Sequence, residues 1–379
     1  MGRVSADRQP LLDRNTVAIA IVFAASLYFL YNLVEFSIRN RNALPLPPEP
    51  HGLPIIGKLN EVIKASKKGE QHLLFQDWAR QHGDLYKVKL GPFAQYMVNS
   101  DVAVKAIFDK ASATSSSRPT WLVSRQHICN DWNVLLLNAD TPRWKQQRKI
   151  TATNVGSIPK ADAGLPYLHF ETLKFMHQVA LEPETQKSSL ALYDAVMRYT
   201  YSNFATQFLG FDVPNSNDPA IHYIHETGLT QILATLPGAS IVDVLPFLDN
   251  LPLAMKPWER AGRARFQRDL DWCLDKMKRL EAMKDRSVIW ESLLCKIVED
   301  DKHLGFDSQE EAAYFCLMLT IGAADTSQIS TWSFIEAMME YPDVQDKARK
   351  EIEKVVGDQI PEFADYERIP YVSKQTWAR

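Results

Sequence analysis

Cysteine is scarce in this sequence, which has four cysteines among 379 residues. They lie far apart, and no Cys-x-x-Cys pair occurs; the four are Cys129, Cys273, Cys295 and Cys316. A disulfide-stabilised scaffold and a zinc knuckle both need closely spaced cysteines, so both are excluded. We expect the four residues to be reduced thiols of a protein that faces the cytosol.

An excess of charge of one sign and an overall excess of hydrophobic residues are also absent. Lys and Arg number 43 against 46 Asp and Glu, which gives a formal net charge of −3. Because no basic surplus exists to attract phosphates, nucleic acid is not an expected partner. The mean hydropathy of −0.24 excludes a polytopic membrane protein. The remaining composition, 46% hydrophobic and 23% charged, is that of a globular protein with a large core.

One apolar run near the amino terminus departs from this average. Residues 15–34 carry no charged side chain. At about 1.5 Å per residue, a helix of this length spans roughly 30 Å, which is one bilayer core. We therefore expect an amino-terminal tail at 1–14 and a transmembrane anchor at 15–34. A cleaved signal peptide is the alternative, but its apolar part would be unusually long and no small-residue cleavage site follows Val34.

Prolines are concentrated in the segment that follows. Five of them lie between Pro45 and Pro54. Proline fixes φ and cannot continue a helix, so residues 35–57 are predicted to form a stiff linker between the anchor and a folded body.

The body, residues 58–379, is predicted to be mainly α with a small β-sheet. Alternating residues at 85–90 and 94–98, separated by Gly91-Pro92, predict a β-hairpin. Apolar residues then recur at helical spacing in several segments, among them 71–81, 101–109, 144–153, 188–208, 258–283 and 308–339.

The longest of these segments is the most informative. Ser308 with Glu311 predicts a capping box at its start, and Tyr341-Pro342 predicts its end. Beyond an apolar first half, small and hydroxyl side chains share one helix face; they are Gly322, Ala323, Thr326, Ser327, Ser330 and Thr331. Either a large flat group or a closely packed helix should lie against this face. Asp325, in the middle of a core helix, needs a hydrogen-bond partner or a chemical role.

The stretch Gly322-Ala323-Ala324-Asp325-Thr326-Ser327 resembles a motif of the cytochromes P450, the haem-thiolate monooxygenases. Their central helix carries Ala/Gly-Gly-x-Asp/Glu-Thr-Thr/Ser, and Ala323 here replaces the usual second glycine. Trp144-x-x-x-Arg148 resembles a second family motif, and further matching stretches follow in family order at 241–252, 341–357 and 369–372. The resemblance covers residues 15 to about 374, and the anchor and linker are similar to those of microsomal members.

The resemblance implies haem as a cofactor and a role for each of these residues. Trp144 and Arg148, on one helix face, would donate hydrogen bonds to a haem propionate. Asp325 and Thr326 would be the catalytic acid–alcohol pair that relays protons to the oxygen being activated. Gly322, Ala323 and Ser327 would form the helix surface that faces oxygen and haem.

Each assignment has a structural alternative. A Trp-x-x-x-Arg spacing also arises where a packed tryptophan lies under a surface arginine. The alternative for Thr326 is a hydrogen bond to the backbone carbonyl four residues earlier in the helix.

The sequence also departs from the family. The family ligates iron through the cysteine of Phe-x-x-Gly-x-Arg-x-Cys-x-Gly, downstream of the central helix, whereas all four cysteines here precede Asp325. The Glu-x-x-Arg motif is missing too, and residues 375–379 do not resemble the family. We therefore expect a carboxy-terminally truncated family member that has no metal ligand, does not bind haem stably and is inactive as written.

By family, the expected activity is oxidation of an apolar small molecule, as in fungal secondary metabolism, with electrons from NADPH through a reductase partner. The expected location is the endoplasmic reticulum membrane, with the body facing the cytosol and the anchor in lipid. Two alternatives remain: a relic of the enzyme family without catalysis, and a non-catalytic membrane-anchored protein that binds partners.

Overall fold

The computed structural model describes residues 46–54, 56–91, 93–236, 239–283 and 292–375, with five isolated positions between 23 and 31. The tail predicted at 1–14, most of the anchor predicted at 15–34 and the first part of the linker lie outside the described residues. Within the described residues, no helix is both long and apolar enough to cross a membrane. The chain divides into two compact units, 1–112 and 113–379.

The first unit is built around the predicted β-hairpin. Strands β1 (Leu85–Leu90) and β2 (Phe93–Val98) pair antiparallel, with Leu85 opposite Val98. Among the described residues from 46 to 111, the helices are α1 (Leu59–Lys67), α2 (Gln71–His82) and α3 (Asp101–Val104), the last continued by a π-helix at Lys105–Lys110.

A small core lies between this hairpin and helices α1 and α2. The side chains of Trp78 on α2 and of Tyr86 and Val88 on β1 are buried there. The Tyr86 hydroxyl donates to the Phe75 carbonyl at 2.8 Å, so the one polar atom of this buried ring has a partner. Gly91 has a φ of +62°, a left-handed conformation that favours glycine at the tight turn between the strands.

The regular elements of the second unit, in its described residues, are all helices. A four-residue helix, α4 (Ser112–Ser115), lies at the boundary. The α-helices that follow are α5 (Pro142–Asn154), α6 (Ile158–Asp162), α7 (Leu165–Leu181), α8 (Pro183–Lys187), α9 (Ser189–Leu209), α10 (Pro219–Ala234), α11 (Ile241–Val244), α12 (Pro257–Ala282), α13 (Leu293–Glu299), α14 (Gln309–Glu340), α15 (Pro342–Val355) and α16 (Pro370–Gln375). A π-helix at Leu122–Ile128 and 3₁₀-helices at Pro246–Asn250, Leu253–Met255, His303–Gly305 and Phe363–Arg368 complete the unit.

Helix α14 runs through the core of this unit. The Ser308 side chain caps it by accepting a hydrogen bond from the Glu311 backbone N–H at 3.1 Å, as the sequence predicts. Its first half packs against α9, α10, α12 and α13, and Tyr314, Phe315 and Leu317 are fully buried. Burial of each such side chain contributes about 1.5–3 kcal/mol relative to leaving it exposed.

Two buried carboxylates fix neighbouring helices around this core. On α7, Glu171 accepts hydrogen bonds at 2.7 Å from Arg198 and from Ser202, both on α9. At the start of α14, Glu311 accepts one from Gln147 of α5 at 3.0 Å and pairs with Arg143 at 3.2 Å. A buried charge is tolerated when it is paired and hydrogen-bonded, so both contacts hold helix positions firmly.

The prediction of a mainly α fold with a small sheet is confirmed. The long helices agree with their predicted ranges to within one or two residues; the predicted segment 308–339, for instance, is helix Gln309–Glu340. Only one small sheet, the two-stranded hairpin, occurs in the described part of the chain.

Candidate active site

The centre of α14 brings the predicted catalytic pair into two different surroundings. Thr326 is exposed, and its hydroxyl donates to the Gly322 carbonyl at 2.8 Å. This is the backbone bond that the structural alternative for Thr326 requires. Asp325 points elsewhere, and its side chain is only 17% exposed.

The hydroxyl side chains of α14 border a cavity of about 320 Å³ between α7, α9 and α14. Its α14 side consists of Thr326, Ser327, Ser330 and Thr331. Its other walls are Leu168 of α7 and Tyr199, Thr200, Asn203 and Phe204 of α9. Four of the six residues on the predicted small-residue face therefore line open space, while Gly322 and Ala323 are not among the lining residues.

Asp325 meets two residues that the sequence analysis does not single out. Its Oδ1 accepts a hydrogen bond from the hydroxyl of Tyr201 on α9, and it lies 3.4 Å from Nδ1 of His225 on α10. The same His225 nitrogen is 3.0 Å from the Tyr201 hydroxyl. Burial and the hydrogen bond to Asp325 raise the pKa of Tyr201 well above its ordinary value, so the phenol stays neutral.

Helix α10 can approach Asp325 only because residue 228 is glycine. A Cβ at Gly228 would lie 2.8 Å from Ile321 Cγ2 and 2.9 Å from Asp325 Oδ2. The close approach places His225, one turn earlier on α10, beside the carboxylate. Tyr201 and His225 are 124 and 100 positions away from Asp325 in sequence, so no local pattern indicates the contact.

Gly322 has a contrasting environment. A Cβ built there would approach only Leu135 Cδ1, at 3.8 Å. Gly322 and Ala323 are both half-buried. The surface at this point is therefore open rather than closed by a neighbouring backbone.

Trp144 and Arg148 lie together on α5. The Arg148 guanidinium carbon is 5.7 Å from the centroid of the Trp144 ring, a cation–π distance. Trp144 is half-buried against the core, and Arg148 is exposed. This geometry is the packed tryptophan under a surface arginine of the structural alternative, and it leaves the guanidinium available to an anion. Their role at a propionate stays a prediction.

The cysteines belong to the core. All four are buried, and none of them forms a disulfide. Burial raises the pKa of Cys129 to about 12 and raises those of Cys273 and Cys316 well above the ordinary value. A thiol binds metal as a thiolate, and burial disfavours that form. No cysteine of the chain is therefore suited to bind iron in this structure.

Another group has the spacing of metal ligands. Donor atoms of His127, Asp249 and Glu259 all lie within 4.8 Å of one another. However, Glu259 already forms ion pairs with Lys256 and Arg263, and Trp258 donates to Asp249 at 3.1 Å. The hydrogen bond from Lys256 holds the pKa of Glu259 below its usual range. Both carboxylates thus already have partners within the protein, Glu259 in two cations and Asp249 in an indole N–H.

Comparison with known proteins identifies the family. A sequence model of the family cytochrome P450 matches residues 47–375. The chain is 49% identical over 343 residues to a cytochrome P450 monooxygenase of Gibberella fujikuroi, covering 89% of this chain and 62% of that protein. It is 28% identical to cytochrome P450 monooxygenase virE of Hypocrea virens, covering 91% of this chain and 60% of the relative. It is 26% identical to cytochrome P450 monooxygenase fogE of Aspergillus ruber, covering 94% and 64%.

The chain therefore belongs to the cytochrome P450 family, as its central-helix motif indicates, and these three relatives are fungal. It spans between 60% and 64% of the length of these three curated relatives.

The family implies haem, and the residues present fit part of it. The indole N–H of Trp144 and the guanidinium of Arg148 are suitable donors to carboxylates. The open surface at Gly322 suits a flat group. The four buried cysteines do not supply an iron ligand. The described residues thus include donors suited to the carboxylates of haem and an open surface suited to a flat group, whereas the described cysteines do not supply the iron ligand.

Proposed function

We propose that this chain is the substrate-side part of a haem-dependent monooxygenase that oxidises an apolar small molecule in fungal secondary metabolism. Electrons would come from NADPH through a reductase. The observation that carries the proposal is the family match over 47–375, with Asp325-Thr326 at the centre of the core helix. The monooxygenase names of the relatives support the reaction class.

Haem, when bound, supplies the redox centre at which dioxygen is reduced and one oxygen atom is transferred to the substrate. Trp144 and Arg148 would hold its carboxylates, and Gly322 and Ala323 would admit its flat face beside α14. Asp325 would hold a proton for the reaction. Thr326 would receive it after releasing the Gly322 carbonyl, to which its hydroxyl donates at 2.8 Å.

A chimaeric protein, called the full-length protein below, tests this proposal. It joins residues 1–375 of this chain to the carboxy-terminal part of the Gibberella fujikuroi relative, which is 49% identical to this chain. We expect this full-length protein to bind haem, to give a thiolate-type carbon-monoxide spectrum and to consume NADPH with a fungal reductase. Failure to bind haem in a folded sample would contradict the proposal and favour a non-catalytic, partner-binding protein.

The 379-residue chain, expressed alone, is the matched comparison. Because its cysteines are buried in the core, we propose that it retains haem weakly or not at all, shows no thiolate-type spectrum and has no NADPH-dependent oxygenation. A stoichiometric haem complex with that spectrum, obtained from these 379 residues, would overturn this part of the proposal.

We also propose that the protein is attached to the endoplasmic reticulum membrane with its body in the cytosol. The uncharged run at 15–34 supports this. A second support is the segment 229–255, in which large apolar side chains are exposed; they are Leu229, Ile232, Leu233, Leu236, Ile241, Phe247, Leu253 and Met255. Exposed apolar surface of this kind is typical of contact with lipid or another protein.

A fractionation experiment tests the attachment. Deletion of residues 1–40 should move the protein out of the membrane pellet after a carbonate wash at high pH. If the same protein without the deletion is already soluble in that wash, the membrane-spanning anchor is refuted. Partial retention of the deleted protein, abolished by polar substitutions at Phe247 and Leu253, would assign a contribution to the exposed apolar segment.

A further inference from the structure

Three polar groups from three helices meet at one point beside the cavity of α14. They are the Tyr201 hydroxyl, Nδ1 of His225 and Oδ1 of Asp325. The His225 side chain is the most exposed of the three at 41%, Tyr201 is fully buried and the Asp325 side chain is 17% exposed. The chain of contacts therefore leads from solvent at the imidazole, through the buried Tyr201, to a largely buried carboxylate.

The donors in this cluster can be assigned from its chemistry. An ionised Asp325 can only accept, so the single proton of the Tyr201 hydroxyl points to Oδ1. The hydroxyl oxygen is then an acceptor toward His225, whose Nδ1 must carry a proton to make a favourable contact at 3.0 Å. The resulting order of donation is His225 to Tyr201 to Asp325, which points inward.

We propose that His225 and Tyr201 are the route by which protons from solvent reach Asp325, in a role that rests on the proposed monooxygenase function. An imidazolium at His225 gives its Nδ1 proton to the Tyr201 hydroxyl oxygen as the phenolic proton passes to Asp325 Oδ1. One N–H bond and one O–H bond break and two O–H bonds form, so Tyr201 stays neutral. His225 is left neutral with its Nε2 proton, and Asp325 carries the proton that has entered.

The surrounding geometry favours a relay over simple packing. A raised pKa keeps Tyr201 protonated, as a relay through a neutral hydroxyl requires. The glycine at 228 leaves room for α10 to bring His225 to the carboxylate, since any Cβ there would collide with Ile321 and Asp325. Thr326, next to Asp325 in sequence, opens on the cavity, so the proton arrives one residue from the proposed reaction site.

The first measurement is the position of the imidazole proton. In ¹⁵N-histidine-labelled protein above the titration range of histidine, His225 should be the Nδ1–H tautomer, identified by the loss of its signal in His225→Asn. An Nε2–H tautomer in this resting form, with Asp325 ionised, would overturn the proposal, because the Tyr201 hydroxyl would then donate to Nδ1 and its only proton could not point to Asp325. If the 379-residue chain does not give a folded sample, the same label is placed in the full-length protein described above.

The second measurement separates a relay from a structural hydrogen bond. In the full-length protein, His225→Asn keeps a nitrogen donor near the position of Nδ1 but cannot exchange protons. We expect about a tenfold loss of product per NADPH and a larger solvent isotope effect, with haem content unchanged. Tyr201→Phe should act similarly, and His222→Asn, an exposed histidine on the same helix, should match the parent.

Chemical rescue completes the test. His225→Ala should lose activity to the same extent and regain it when dihydrogen phosphate, a small proton donor that leaves haem iron free, is added at high concentration, whereas His225→Asn should not respond. If the parent is active, and His225→Asn and Tyr201→Phe each form as much product per NADPH as the parent, the relay is refuted and the monooxygenase function stands. If the parent neither binds haem nor oxidises a substrate, the proposed function fails. The tautomer measurement does not depend on activity, so failure of the proposed function and failure of the relay can be distinguished.

Discussion

In the first half of α14, up to Ile321, most side chains are buried, whereas beyond Gly322 the same helix carries exposed apolar residues such as Ile329 and Phe334. The backbone is helical throughout, from Gln309 to Glu340. What differs is the surroundings: core helices enclose the first half, while a cavity borders part of the second. One continuous helix can therefore be part of the core at one end and form a functional surface at the other.

The largest difference between the halves should appear in stability. Phe315→Ala removes a fully buried ring from the first half and should lower the free energy of unfolding by about 3–5 kcal/mol. Ile329→Ala, at a side chain that is 63% exposed, should change it by less than about 0.5 kcal/mol. Urea unfolding of both variants measures the contrast, and equal losses would mean that the second half is buried in solution.

The next effect concerns chemistry in the second half. In the full-length protein, Thr326→Ala should release peroxide in place of product and lower coupling by roughly tenfold, because a proton arrives less reliably. Thr326→Ser is the matched control, since it keeps the hydroxyl. Product and peroxide per NADPH are measured, and equal coupling in Thr326→Ala and its parent would remove Thr326 from the mechanism.

Two glycines near the junction of the halves should respond to alanine with opposite signs. Gly228→Ala should lower stability by about 1–3 kcal/mol, because its Cβ would overlap Ile321 and Asp325, and the better helix propensity of alanine offsets about 1 kcal/mol of this. Gly322→Ala should raise stability by up to about 1 kcal/mol, because only Leu135 is near, at 3.8 Å. Thermal unfolding measures the change in stability of both variants. A change in the same direction for both would contradict the described packing of α10 on α14.

The smallest effect is a pH dependence at the start of the first half. Burial raises the pKa of Glu311, while Arg143 and Gln147 oppose the shift. A carboxyl whose folded-state pKa is raised binds protons more readily in the folded state, so its contribution to stability falls as the pH rises from the unfolded pKa through the folded one. Glu311→Gln should remove this slope between acidic and neutral pH in urea titrations. An unchanged slope would assign the pH dependence to other groups.

Local patterns predict much of this fold. The cap at Ser308, the turn at Gly91 and the ends of the long helices follow from chemistry within a few residues of each position, and the structure agrees with them. The other half of the predicted capping box differs, because the Glu311 carboxylate binds Gln147 and Arg143. The segment 101–109 is a partial exception: it is predicted as one helix, and it forms an α-helix at Asp101–Val104 followed by a π-helix. The pattern of apolar residues does not distinguish these two windings.

The residues of the candidate site also differ in whether local patterns can locate them. Asp325, Thr326 and the Trp144–Arg148 pair can be located from motifs, because each motif lies within one helical turn or two. Tyr201 and His225 could not be found in this way. Their contact with Asp325 depends on three helices that come together across more than a hundred residues.

The family, the helical architecture and the position of the acid–alcohol motif can all be inferred from residue spacing along the chain. What each motif residue faces depends instead on how the helices pack together. This packing buries the four cysteines, opens Thr326 to a cavity and turns Asp325 toward Tyr201 and His225. The physical reason is that helical periodicity sets which side chains share a face, whereas the packing of other helices sets what that face meets.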